Sequence, residues 1–253
     1  TNVLLKEIEE PAERTIWLLC APSAQDVLPT IRSRTRLVSL AVPSLPAVAD
    51  FLRSRGVDKD LAARCARLSE GHIGVARLYA RDETARHDRD GLVVGVLGLA
   101  RASDAIVLAS RLVKESSQQA EHEVARLIGE EEAEFRRVNG LGDGDRIPTS
   151  LRSAFNAIGK KDEIRRRVTR LSRDVLDRAL TSIASVYRDV AVIQNSAQDH
   201  AGLVNMENRT AIVELSVALR RSQAIEAIED VDRARARLSG NGNPLLVFEA
   251  LFC

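Results

Sequence analysis

Between residues 160 and 198 the apolar residues Leu171, Val175, Ile183, Val186, Val190 and Ile193 recur at spacings of mostly three and four. That is the period of one face of a helix, not of a strand. A helix with such a stripe has to bury it against other elements, so the run commits the chain to layered helix packing. A second amphipathic run covers about 208 to 238, and everything periodic from about residue 101 onward is helical. Composition agrees: aromatics are only 3%, while Leu, Ala, Val and Arg dominate, a balance of packed helices rather than of sandwiches or barrels. With 253 residues and 45% hydrophobic content the chain can build one large domain or two to three small ones.

Upstream of 101 the pattern changes twice. Short helices are predicted over roughly 45 to 55, 58 to 68, 72 to 80 and 83 to 98, with Ser44 as an N-cap and Gly56 and Gly71 as helix stops. Before them, Val3, Leu4, Leu5 and Ile8 predict a helix that Pro11 ends, and Thr15 to Cys20 reads as a buried strand. Asp26 to Ser33 fits a short helix, and Arg36 to Leu40 alternates like a second strand. Two strands are marginal as a sheet, so further strands are expected outside this sequence, which reads as beginning inside a domain. Residues 139 to 148 form a flexible connection, and Asn243-Pro244 opens a last apolar helix with Asn as cap and Pro in the first turn.

The bulk charge excludes a global pull toward nucleic acid or membrane, because 37 Lys and Arg face 36 Asp and Glu. Cys20, Cys65 and Cys253 are too widely spaced for a disulfide framework or a zinc site, which favours a reducing cytoplasm. No apolar run is long enough for a membrane span, and no signal-peptide pattern opens the chain. Gly142 to Asp145 lacks the ligand series and closing Glu of a calcium loop. His72 stands at a helix start, where a surface or capping role suits it, and His87, His122 and His200 are isolated. Glu130, Glu131, Glu132 and Glu134 are answered by Arg136 and Arg137, with Glu132 and Arg136 at i, i+4, the pattern of a solvated helix face. The run Arg165, Arg166, Arg167, Arg170, Arg173 and Arg178 raises phosphate contact as a possibility beside the plainer reading of a solvated face, since Glu163, Asp174 and Asp177 intersperse it.

Two linked motifs carry a family resemblance. Leu4-Leu5-Lys6-Glu7-Ile8-Glu9-Glu10-Pro11 precedes an apolar strand pattern, and Leu28-Pro29-Thr30-Ile31-Arg32-Ser33-Arg34-Thr35 follows it. Together they resemble the late AAA+ core of bacterial DNA polymerase III clamp-loader subunits, where a helix opens with Ser-Arg-Cys and its arginine reaches a neighbouring subunit's ATP. The resemblance implies that Arg34 is an arginine finger acting in trans, with Ser33 orienting the helix start and Thr35 replacing the usual Cys. A planar, permanently charged guanidinium can donate two hydrogen bonds to the charge that builds on a transferring phosphoryl group.

The likeness continues in Leu68-Ser69-Glu70-Gly71-His72, similar to the start of the family's lid helix. At the two sensor positions this chain has Ala21, within Cys20-Ala21-Pro22, and Gly74, neither with a side chain able to contact nucleotide; Arg77 lies three residues from the second. No G-x-x-x-x-G-K-[ST] loop is present, so no bound cofactor and no ATPase activity are expected of this chain alone, with ATP and Mg²⁺ at the neighbour's site. The pattern fits the delta prime type of subunit. The implied fold is mainly α: the end of an α/β AAA+ core over 1–42, a helical lid over 43–98 and a helical collar for oligomerisation over 99–253. Implied partners are the gamma/tau and delta subunits and, through the complex, the sliding clamp and primed DNA, in a bacterial cytoplasm and without a membrane. A truncated gamma/tau-like ATPase and a helical scaffold or DNA-binding protein remain as alternatives.

Overall fold

The computed structural model describes residues 6–8, 10–21 and 23–253, and these divide into two units, Thr1–Ser44 and Leu45–Cys253. Of the first predicted helix, Val3, Leu4, Leu5 and Glu9 lie outside the described residues. Lys6 to Ile8 is helical, and the Glu10 N–H donates to the Lys6 carbonyl at 2.9 Å. Among the described residues, a 3-10 turn at Ala24–Asp26 and a one-turn helix α1, Pro29–Arg32, complete the regular structure of this unit.

No strand forms among the described residues, which corrects the two strands expected over 15 to 20 and 36 to 40 and with them the α/β layer. Both stretches lack a ladder partner here. A strand exists only when its N–H and C=O groups find a neighbour, so an apolar alternation alone does not make one. The side chains that would face a sheet core are instead open to solvent: Ile16 is 85% exposed, Leu18 86% and Leu40 90%.

The second unit is wholly helical. Its first helices are α2 (Leu45–Arg53), α3 (Lys59–Leu68), α4 (Ile73–Arg81) and α5 (Glu83–Leu97), close to their predicted bounds. Gly56 and Gly71 sit at φ of +85° and +90°, the left-handed conformation that ends a helix without a Cβ clash. Then come α6 (Ala102–Val138), α7 (Arg152–Ile158), α8 (Lys161–Gln194), α9 (Gln198–Ala201), α10 (Arg209–Ala218), α11 (Arg221–Ser239) and α12 (Pro244–Phe252). Asn243 accepts from the Leu245 N–H at 3.0 Å and Pro244 occupies the first turn, as its sequence predicts.

Two main apolar cores organise these helices, beside a small cluster of Val190, Ile212 and Ala224. The smaller joins Val48 and Leu52 of α2, Ala62, Cys65 and Ala66 of α3 and Ala76 and Tyr79 of α4. Val204, from the connection after α9, inserts into the same core. The larger joins α6, α8, α11 and α12 around Leu108, Leu180, Ile183, Val186, Val231 and Phe248. Helix α5 contributes Leu92, Val93 and Val96 to this larger core, although it follows the short helices in sequence. Of the α8 stripe, Ile183, Val186 and Val190 are buried, whereas Leu171 and Val175 are only partly covered. From residue 125 to residue 175 no side chain is buried, so the distal halves of α6 and α8, with α7 between them, lie outside the core.

Candidate functional site

The Arg34 segment is built by one proline and two hydroxyls. Pro29, which has no N–H to leave unsatisfied, occupies the first position of α1 and fixes where the helix starts. Ser33 then closes it, since its Oγ donates to the Thr30 carbonyl at 3.2 Å, and Thr35 Oγ1 donates to the Ile31 carbonyl at 3.1 Å. This corrects the expectation that Ser33 opens a helix: both hydroxyls satisfy carbonyls that a helix end leaves without partners. Arg34 is exposed just past that end, its Nη1 donating to the Thr30 carbonyl at 2.8 Å and to Ser33 Oγ at 3.3 Å. The hydrogen bonds back to α1 tie the guanidinium to its own helix. Arg32 donates to the Ala24 carbonyl at 3.3 Å, joining α1 to the preceding 3-10 turn.

Ser33, Arg34 and Thr35 therefore share one turn. Ala21 is exposed in the same unit, and its neighbour Pro22 lies outside the described residues. Gly74 belongs to the other unit, in the first turn of α4 beside the capping His72, whose Nδ1 accepts from the Val75 N–H at 3.2 Å. A Cβ at Gly74 would come within 3.2 Å of the His72 ring, so a side chain there would have to push the capping imidazole slightly aside.

Sequence reading missed a buried polar network between α5, α8 and the 202–207 connection. Asp189 is fully buried, and its carboxylate accepts from the Val204 N–H at 3.0 Å, the Asn205 N–H at 2.7 Å and Asn205 Nδ2 at 2.8 Å, with Arg188 paired at 2.9 Å. Arg89, also buried, donates to Asn205 Oδ1 and to Ser185 Oγ. Burial pulls the Arg89 guanidinium below its ordinary value, while Tyr79 and Asp90 act the other way.

Further out, Arg67 grips Glu207 through both nitrogens, at 2.6 and 3.1 Å, and also donates to the Val204 carbonyl. Arg64 pairs with Asp90 at 2.6 Å and Glu207 at 3.2 Å. The network joins the small core to the large one. A signal for it was present: Arg89 precedes Leu92, Val93 and Val96, and Asp189 lies between Val186 and Val190, so each is a charge inside an apolar stripe.

Elsewhere, a cleft of about 210 Å³ between α5, α6 and α8 is lined by Asp88, Arg89, Arg111, Glu115 and Arg178, a mixed set of charges. Among the described residues no three His, Cys, Asp or Glu side chains converge as metal ligands, and no helix is long and apolar enough to cross a membrane.

Comparison with known proteins gives one match. The family described as DNA polymerase III, delta subunit, matches residues 1–44. The likeness to a DNA polymerase III clamp-loader subunit thus covers the first 44 of the 253 residues. The matched part is the unit that contains Arg34, and residues 45–253 lie beyond it. No curated protein and no solved structure matches the chain.

Proposed function

We propose that this chain is a delta prime-type clamp-loader subunit, one that does not hydrolyse ATP itself but supplies Arg34 to the ATP of a neighbouring subunit. The observation that carries the reading is the family match over residues 1–44 taken with the exposure of Arg34 at the end of α1. Its role would be electrostatic. The guanidinium meets charge developing on the γ-phosphate of a nucleotide held with Mg²⁺ by the neighbour, a contribution of roughly 10³ to 10⁵ in rate for fingers supplied in trans. Ala21 and Gly74 offer no polar side chain at the two sensor positions, which supports a subunit that assists rather than performs hydrolysis.

The helical unit supports the rest of the role. A subunit against which gamma/tau and delta subunits move while opening the sliding clamp for primed DNA needs a stiff body. Here the buried Asp189, Asn205 and Arg89 network ties the lid-like helices α2–α4 to the collar-like bundle of α6, α8, α11 and α12.

The test assembles the complete loader and compares DNA-stimulated ATP turnover with the native residue and with Arg34→Ala. Turnover is expected to fall by at least about a hundredfold at one class of site while assembly by size-exclusion chromatography stays intact. Unchanged turnover in an intact assembly would remove Arg34 from the chemistry.

A further inference from the structure

Several arginines of the helical unit are neutralised in place by carboxylates. Arg126 pairs with Glu123 and Glu130, Arg137 with Glu134, Arg233 with Asp230, and Arg235 with Asp177 and Asp232. The N-terminal half of α8 differs from these on one side. Arg167 turns toward α6 and pairs with Glu131 at 2.7 Å, but Arg165, Arg166, Arg170 and Arg173 line an open groove. All four are exposed. Among the described residues the Arg165 and Arg170 side chains have no ion-pair or hydrogen-bond partner, and the Arg166 side chain reaches only Glu163, at 3.9 Å. Arg173 donates to the neutral amide of Asn241, in the turn between α11 and α12. Asp162 and Asp174 stand at the two ends of the groove, leaving it a local excess of two positive charges on a chain whose net charge is +1.

The groove is lined by charged residues and Thr169, with no apolar or aromatic side chain. A protein partner would find no apolar anchor to desolvate, and a single strand would find no ring on which to stack. A double-helical phosphate backbone requires neither, only cations at matching density. From Arg165 to Arg173 α8 rises about 12 Å, a length over which a duplex presents about seven phosphates. The location is suited to a long, thick ligand, because no side chain between residues 125 and 175 is committed to the core.

We infer that this face of α8 is a phosphate-backbone contact for duplex DNA, separate from the Arg34 segment. It neutralises phosphates and releases their counterions without reading sequence. The contact does not depend on the proposed finger.

The test measures binding of the full chain to a fluorescent DNA duplex of about 20 base pairs by anisotropy across a salt series. Four contacts predict a slope of log affinity against log salt of about −3 to −4. Replacing Arg165, Arg166, Arg170 and Arg173 together by Gln is expected to weaken binding at least about tenfold and bring the slope toward zero. Arg165→Gln with Arg170→Gln removes only side chains without partners, so folding is preserved, and takes away about half the slope. Substituting the paired Arg126, Arg137 and Arg233 leaves affinity and slope unchanged. Retention of the native slope in the double or quadruple variant would overturn the inference. So would competition by polyglutamate as effective as unlabelled duplex at equal charge, which would mark the groove as a site for acidic protein. Neither result would bear on ATP turnover and Arg34.

Discussion

Asp189 shows what a single buried charge does in this molecule. Its oxygens accept three hydrogen bonds from residues 204 and 205, and Arg188 neutralises it at 2.9 Å, so the cost of burying the carboxylate is offset by geometry. Removing it leaves the Val204 and Asn205 backbone N–H groups buried without an acceptor, and the Asn205 amide with Ser185 Oγ alone. Asp189→Ala is therefore expected to cost about 3–5 kcal/mol in urea unfolding, far more than the volume removed would suggest. The same scale explains Ser33 and Thr35. Their residue types match a helix-start motif in sequence, yet hydroxyls also satisfy carbonyls at a helix end, and Pro29 had already fixed the start four residues earlier. Arg136 likewise does not pair with Glu132 as its spacing suggested. It donates to the Gly142 and Asp145 carbonyls and lies over the Phe155 ring at 5.4 Å, since loop carbonyls without partners compete well against a solvated carboxylate.

Among the elements, those with local start and stop signals were legible. Asp58 accepts from the N–H groups of Asp60 and Leu61 at the head of α3, His72 caps α4, and Asp82 accepts from Ala85 at the head of α5. Each cap acts within a few residues of itself, which is why sequence alone placed these helices closely. At α12 the cap matters more because the helix carries Phe248, fully buried in the larger core. Asn243→Ala is expected to lower stability by about 1 kcal/mol, read as a shift in the denaturation midpoint without a change in slope. The two expected strands failed for the opposite reason. Thr15 to Cys20 and Arg36 to Leu40 have strand-like side chains, but pairing is a property of two segments, and no partner lies among the described residues.

At the scale of the molecule, the helical unit is held together by contacts between parts distant in sequence. Glu207 meets Arg67 across 140 residues and Arg64 beside it. Burial pushes the Glu207 carboxyl up, but the hydrogen bond from Arg67, a backbone hydrogen bond and the two arginine charges outweigh that and hold it below its ordinary value of 4.5. For a carboxyl depressed in the folded state, the unfolded chain takes up the proton first as pH falls. The contribution is thus present above pH 4.5 and lost as pH falls through the folded value. Stability of the native chain should decline below about pH 4.5, and Glu207→Gln should flatten that decline in thermal melts across an acid series. A parallel decline in both proteins would show that the link between small and large cores does not respond to this proton.

By itself the sequence determined the helical class, the approximate bounds of α2–α5 and α8, the capped start of α12 and the Leu28–Thr35 segment that resembles clamp-loader subunits, whereas the single run expected over 208 to 238 is two helices, α10 and α11. These rest on period, capping chemistry and proline, all of which act over a few residues. Only the tertiary structure decided that α5 packs into the larger core, that Val204 completes the smaller one, and that Arg89 and Asp189 are buried partners of one network. It also decided which arginines of α8 are neutralised and which line a groove, because Arg167 gains Glu131 from α6 in addition to Glu163 on its own helix, and Arg170 does not. Burial and ion pairing depend on what another segment brings alongside, and no local pattern carries that information.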